Sequence, residues 1–169
     1  DWVVVDVALQ NLMQTRDFES ITVTDRGGVV RAASRPELVG QPWRAPAGEA
    51  LGEDKSDAAI LGVFADDIDR LRARGGYRSC DVVRLTPDHP QRSEMRAKFL
   101  AEHVHDDDEV RYFVEGAGLF YIRSDEAVHA LECTPGDLIV LPAGTRHWFD
   151  TGERPFFTAI RLFTTPDGW

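Results

Sequence analysis

A chain of 169 residues, 43% apolar and 28% charged, is long enough to fold as one domain around a substantial core. Its formal net charge of −10 repels phosphate backbones and anionic bilayers, which excludes nucleic acid and membrane surfaces as partners. No apolar run approaches the roughly 20 residues of a membrane span.

The opening DWVVVDVALQNL is apolar but has neither a basic leader nor a small-residue cleavage site, so it does not read as a signal peptide. Cys80 and Cys133 lack metal-ligand spacing and read as reduced, small buried hydrophobes of a cytoplasmic protein. Residues 2–8 and 20–31 are rich in Val, Ile and Thr and predict short strands, the second closing on the turn signal Gly27-Gly28. Residues 35–55 read as an irregular connection in which Pro42 and Pro46 block long helices. From Ser56 to Arg74 the period changes. Ser56 is a candidate N-cap, Ile60, Val63, Phe64, Ile68 and Leu71 form one apolar face, and Gly75-Gly76 is a stop, so a helix is predicted. CDVVRL follows as a strand, TPDHPQ as a proline-bounded loop, and Arg92–Phe99 as one or two helical turns.

Beyond Glu102 the texture is β. The segments EVRYFVEG, GLFYIRS, AVHALEC, DLIVLP, HWFDTG and FFTAIRLF alternate apolar and polar residues between Gly, Pro and Asp turns. Their spacing predicts a sandwich or barrel, giving a mainly β (α+β) chain. Residues 1–75 then form a strand and helix segment packed on the barrel, and residues 76–169 the barrel itself.

One stretch carries chemistry. In FLAEHVHDDDEVRYFVEGAG, residues i and i+2 of a strand share a face, so His103 and His105 point together. A turn at Asp106–Asp108 returns Glu109 and Arg111 to the same side. Two imidazoles and a carboxylate suit a first-row divalent metal. In PGDLIVLPAGTRHWFD, two turns flank a short buried strand, and His147 opens the next strand, where antiparallel pairing can set it opposite the other three. Any one of these residues alone reads as a surface side chain; the four spacings together read as a metal site. Asp106 and Asp107 are expected in solvent, and His89 and His129 at the surface or on strands.

The spacings His103-x-His105-x3-Glu109-x6-Gly116 and Gly136-x5-Pro142-x-Gly144-x2-His147 resemble the two motifs of the cupin superfamily. Ala97 and Thr151 depart from the motifs at positions that are not ligands. From Gly76 to Trp169, KFLAEHVHDDDEVRYFVEGAGLFYIR, DLIVLPAGTRHWFDTG and FFTAIRLF resemble the acireductone dioxygenase family of methionine salvage. The resemblance implies a cupin jelly-roll β-barrel holding one divalent ion, Fe(II) or Ni(II), on His103, His105, Glu109 and His147. It implies Arg111 as the residue that fixes the anionic substrate, Asp108 in proton transfer, and Phe99, Phe149 and Trp169 as the apolar pocket wall. The implied substrates are an acireductone, 1,2-dihydroxy-3-keto-5-methylthiopentene, and O2; the sequence itself leaves the oligomeric state open, with a monomer expected. With Fe(II) the implied products are formate and 4-methylthio-2-oxobutanoate; with Ni(II) they are formate, carbon monoxide and 3-methylthiopropanoate. The residues leave two rivals: a cupin dioxygenase or isomerase of another pathway, and a non-catalytic cupin that binds a small molecule.

Overall fold

The structure, a computed structural model, describes residues 22–24, 30–33, 51–125 and 127–167. The strand expected over residues 2–8 and the pocket residue Trp169 lie outside the described residues. Strands β1 (Thr22–Thr24) and β2 (Val30–Ala33) pair antiparallel, so the expected strand over residues 20–31 is instead two short ones. Helices α1 (Asp57–Val63) and α2 (Ala65–Gly75) replace the single helix predicted from Ser56 to Arg74, with the chain breaking at Phe64. The Ser56 hydroxyl caps α1 by accepting the Ala59 N–H at 3.3 Å, and Gly76, at φ +70°, closes α2 in the left-handed conformation only glycine adopts readily.

The remaining elements are β3 (Ser79–Leu85), α3 (Arg92–Leu100), β4 (Glu109–Arg123), β5 (Val128–Cys133), β6 (Leu138–Leu141), β7 (His147–Asp150) and β8 (Phe156–Phe163). All their strand pairings are antiparallel. Two segments read separately from the sequence, EVRYFVEG and GLFYIRS, are one 15-residue strand. Its first half pairs with β6 and β8 and its second with β5 and β7, so β4 belongs to two sheets. The bend between them is supplied by a register shift between Phe113 and Glu115 and by Gly116 at φ +66°. A Cβ at Gly116 would sit 1.8 Å from the Phe156 carbonyl oxygen, so no other residue fits this crossing.

Alternation along β4 and β8 divides the interior in two. Phe113, Phe120, Leu131, Ile139, Phe149, Phe157 and Ala159 form a core to which both sheets contribute. Val110, Tyr112, Ile160 and Leu162 point the other way and pack on Ile60, Phe64, Ile68 and Leu71 of the helices. The apolar helix face read from the sequence is therefore buried against the back of the β4–β8 pair, except Val63, which is exposed. Glu109 and Arg111 share parity with Phe113, which places them on the inner side. Among the described residues no helix is long and apolar enough to cross a membrane.

Candidate metal centre

His103 and His147 are held opposite each other by a pair of backbone bonds: His103 N–H donates to the His147 carbonyl at 3.0 Å, and His147 N–H to the His103 carbonyl at 3.1 Å. Directly opposed residues on antiparallel chains point to the same face, and the rings lie 4.5 Å apart between centroids. His105 joins them two residues along. One nitrogen of each ring lies within 4.8 Å of the others. Which nitrogen faces the common centre is settled by the backbone. His103 Nδ1 lies 2.8 Å from the Ala101 carbonyl, His105 Nδ1 2.5 Å from the Asp107 carbonyl, and His147 Nδ1 2.8 Å from the Thr145 carbonyl. A carbonyl only accepts, so each Nδ1 carries the proton and each Nε2 presents its lone pair.

Glu109 opens β4 and is 2% exposed. Its two oxygens are used differently. Oε1 meets the Arg111 guanidinium at 2.8 Å, while Oε2 lies 3.2 Å from His105 Nε2 and 4.0 Å from His147 Nε2. Oε2 is buried and aligned for no hydrogen bond, so a buried anionic oxygen faces two imidazole lone pairs. That arrangement is unfavourable for the bare protein and suits a cation. Donors about 2.1 Å from one ion sit roughly 3–4 Å apart, close to the separations seen here. The residues fit a divalent metal.

The local electrostatics agree at Glu109 and His147. Burial pushes the Glu109 carboxyl up, but the Arg111 charge together with His105 and His147 outweighs this and holds it below the ordinary glutamate value. Burial lowers the His147 value, keeping that ring neutral. Burial acts on His105 in the same direction, yet the adjoining Glu109 carboxylate leaves its value raised. An ionised Glu109 and a neutral His147 are in the protonation state a metal requires, whereas the raised His105 value works against it until that ring gives up its second proton.

The other expected site residues divide. Arg111, with 14% of its side-chain surface exposed, sits on the same face as Glu109 and is engaged with it. Phe99 on α3 meets Phe149 on β7 edge to face at 6.3 Å, and Phe149 also packs on Phe113, Phe120 and Phe157. Asp108 is tied elsewhere: its Oδ1 accepts the Ala143 N–H at 3.0 Å, joining the acidic turn to the loop before His147. Asp107 overturns an expectation. It is 7% exposed, not solvated, because both its oxygens are engaged by Thr164 just past the end of β8. The pair that fixes α3, Arg96 Nε and Nη2 on Asp150 at 2.9 and 3.2 Å, left no trace in the sequence pattern. His129 is partly buried on β5, and His89 lies in the loop before α3.

The ARD/ARD' family model matches residues 37–169. The chain belongs to the ARD/ARD' family. The match begins well ahead of Gly76, where the sequence resemblance was placed. The chain is 54% identical over 155 residues to the acireductone dioxygenase of Parvibaculum lavamentivorans, spanning 90% of this chain and 83% of that protein. It is 47% identical over 147 residues to that of Aquifex aeolicus, spanning 87% and 79%. A solved acireductone dioxygenase from Bacillus anthracis, with a cadmium ion in its active centre, superposes with a TM-score of 0.68 at 30% identity, covering 96% of this chain and 87% of that one. The fold is thus the cupin fold expected from the sequence, and the ARD/ARD' chain is an enzyme of the dioxygenase class.

Proposed function

We propose that this chain cleaves 1,2-dihydroxy-3-keto-5-methylthiopentene with O2, as a metal-dependent step of methionine salvage. The observation that carries the reading is the convergence of His103, His105 and His147 on one centre, with the buried Oε2 of Glu109 beside His105 and His147 and the largely buried Arg111 next to it. In this reading those four residues hold one divalent ion, Fe(II) or Ni(II). When bound, the ion supplies Lewis acidity and a template for the enediolate oxygens.

The chain's own residues do the rest. Arg111 holds Glu109 ionised through Nη2 and keeps a buried positive charge beside the place where the substrate's oxygens gain negative charge. A guanidinium fixed in that way stabilises the developing oxyanion without reorganising. Phe99 and Phe149, with Trp169 in the same proposed role, form the apolar wall for the methylthio tail and exclude water from the enediol. Asp108 keeps one carboxylate oxygen beyond its tie to Ala143 N–H, and we assign that oxygen to proton transfer. The free thiols of Cys80 and Cys133 accord with a cytoplasmic protein, and we propose a monomer.

Metal analysis joined to product identification tests the reading. Iron-loaded protein supplied with the acireductone is expected to consume O2 and release formate and 4-methylthio-2-oxobutanoate. Nickel-loaded protein is expected to release carbon monoxide as well, with formate and 3-methylthiopropanoate. Metal-replete protein that leaves acireductone absorbance and O2 unchanged would refute the proposal.

A further inference from the structure

We propose that Asp107 is a positioning residue that aims the His105 imidazole, acting through the peptide plane between Asp107 and Asp108. The inference rests on the proposed metal role of His105. Asp107 Oδ1 accepts the Asp108 N–H at 2.9 Å, and that N–H belongs to the same peptide unit as the Asp107 carbonyl. The unit is planar and turns as one body, with its N–H and C=O on opposite sides. Holding the N–H with the carboxylate therefore sets the direction of the carbonyl, which accepts the Nδ1–H of His105 at 2.5 Å. The carboxylate is itself fixed from the sheet: Thr164 N–H donates to Oδ2 at 2.9 Å, and the Thr164 hydroxyl donates to Oδ1. Thr164 directly follows Phe163, the last residue of β8. A continuous chain of contacts thus runs from β8 through Thr164, the Asp107 carboxylate and the 107–108 peptide to the His105 ring.

His105 needs such a support where the other two imidazoles do not. His103 and His147 are opposed by their own paired backbone bonds, and their carbonyl partners precede them by two residues. The carbonyl that meets His105 follows it by two residues, in the bend 106–107, where no strand pairing fixes the backbone. Asp107 is buried, negatively charged and aligned with three donors, which is more than a turn residue requires.

Asp107→Asn discriminates. The two backbone N–H groups sit on different oxygens, so an amide can accept one of them only by setting its NH2 against the other. The probe is cadmium alone, the diamagnetic ion held by the Bacillus anthracis relative. Its affinity is measured by chelator competition, and the ring Nδ1–H resonances of His103, His105 and His147 are followed by NMR in the cadmium-loaded protein. Asp107→Asn is expected to weaken cadmium binding about 10- to 100-fold, the range for partners behind a metal ligand. The His105 Nδ1–H signal should shift or exchange away while those of His103 and His147 stay. Thr164→Val, which keeps the N–H and loses the hydroxyl, should move both readouts in the same direction by less, and Thr164→Ser should restore them. If Asp107→Asn does not fold, Thr164→Val decides. Parent-like affinity with an unchanged His105 signal, or equal loss at all three rings, would overturn the inference. A parent protein whose three histidine signals ignore cadmium would instead remove the metal reading itself.

Discussion

Under the proposed function, Arg111 connects the charge balance of the site to its reactivity. Arg111→Met keeps a long apolar side chain in place and deletes the guanidinium that meets Glu109 Oε1 at 2.8 Å. Glu109, 2% exposed, is then a buried carboxylate facing two imidazole lone pairs with no countercharge of its own. Removing one partner of a buried ion pair costs about 3–5 kcal/mol. For a chain of this size each kcal/mol moves the melting temperature by roughly 2–4 °C, so the metal-free variant should melt roughly 6–20 °C below the parent. A divalent ion beside Oε2 supplies a second countercharge, so the loss should shrink in metal-loaded protein. By linkage, the variant must then bind metal more tightly by the difference. The O2 consumption rate with acireductone should still fall about 10²- to 10³-fold, the scale for losing one donor to a developing oxyanion. Calorimetric melts with chelator and with saturating metal check the first part, and an oxygen electrode the second. Equal losses of stability with and without metal would refute the charge argument, because the metal and Arg111 would then not share Glu109.

His147→Ala removes a ring that is 2% exposed and opposed to His103, and elemental analysis of the purified variant should find it depleted of metal; full occupancy would remove His147 from the donor set. Gly118→Ala places a methyl 2.2 Å from Phe149 Cζ and 2.5 Å from Cε2, where the ring is already packed among Phe113, Phe120 and Phe157. Overpacking of this kind costs about 1–3 kcal/mol, and adding Phe149→Leu should recover most of the loss in a denaturant titration. The Arg96 hydrogen bond holds the Asp150 carboxyl below the usual carboxylate range. A depressed folded value contributes stability above the unfolded value, about 3.9, and loses it as pH falls through the folded one. Melts of Asp150→Asn and the parent should therefore differ most near pH 6–7 and converge below about pH 4; a gap independent of pH would deny the pair any ionic contribution.

The sequence made legible what depends on local period. The strands from Ser79 onward were readable because alternation, turn glycines and prolines coincide, and the closeness of His103, His105 and Glu109 because they share parity. What it hid depends on partners distant in the chain. Nothing in EVRYFVEG and GLFYIRS shows that one strand serves two sheets; that follows from Gly116 lying against the Phe156 carbonyl. The helix read as continuous is interrupted at Phe64, whose ring leaves the helical path to pack edge to face on Tyr112 at 5.4 Å. Asp107 was read as solvated because its neighbours are acidic, and its actual partner, Thr164, is 57 residues away.

The same distinction explains how the centre is built. His103 and His147 are each oriented by a main-chain carbonyl two residues earlier, which any side chain at that position would leave in place, so orientation is cheap to encode there, whereas the carbonyl that meets His105 is itself held by the Asp107 side chain. The carboxylate has no such local partner. Glu109 takes its orientation from Arg111, on the same strand face, while Arg111 pairs across the sheet with Arg161, whose guanidinium is bound to Asp81 on β3. The result is a row of charges, Glu109, Arg111, Arg161 and Asp81, with the two arginines in the middle and a carboxylate at each end, that crosses β4, β8 and β3. The two adjacent arginines repel each other, and burial lowers the Arg111 value, but each is answered by a carboxylate on its outer side. An arginine held in that row is fixed before any substrate arrives. Rigid placement of a cation beside the candidate donors is what the proposed stabilisation of an enediolate demands, and strand register supplies that rigidity without a mobile loop.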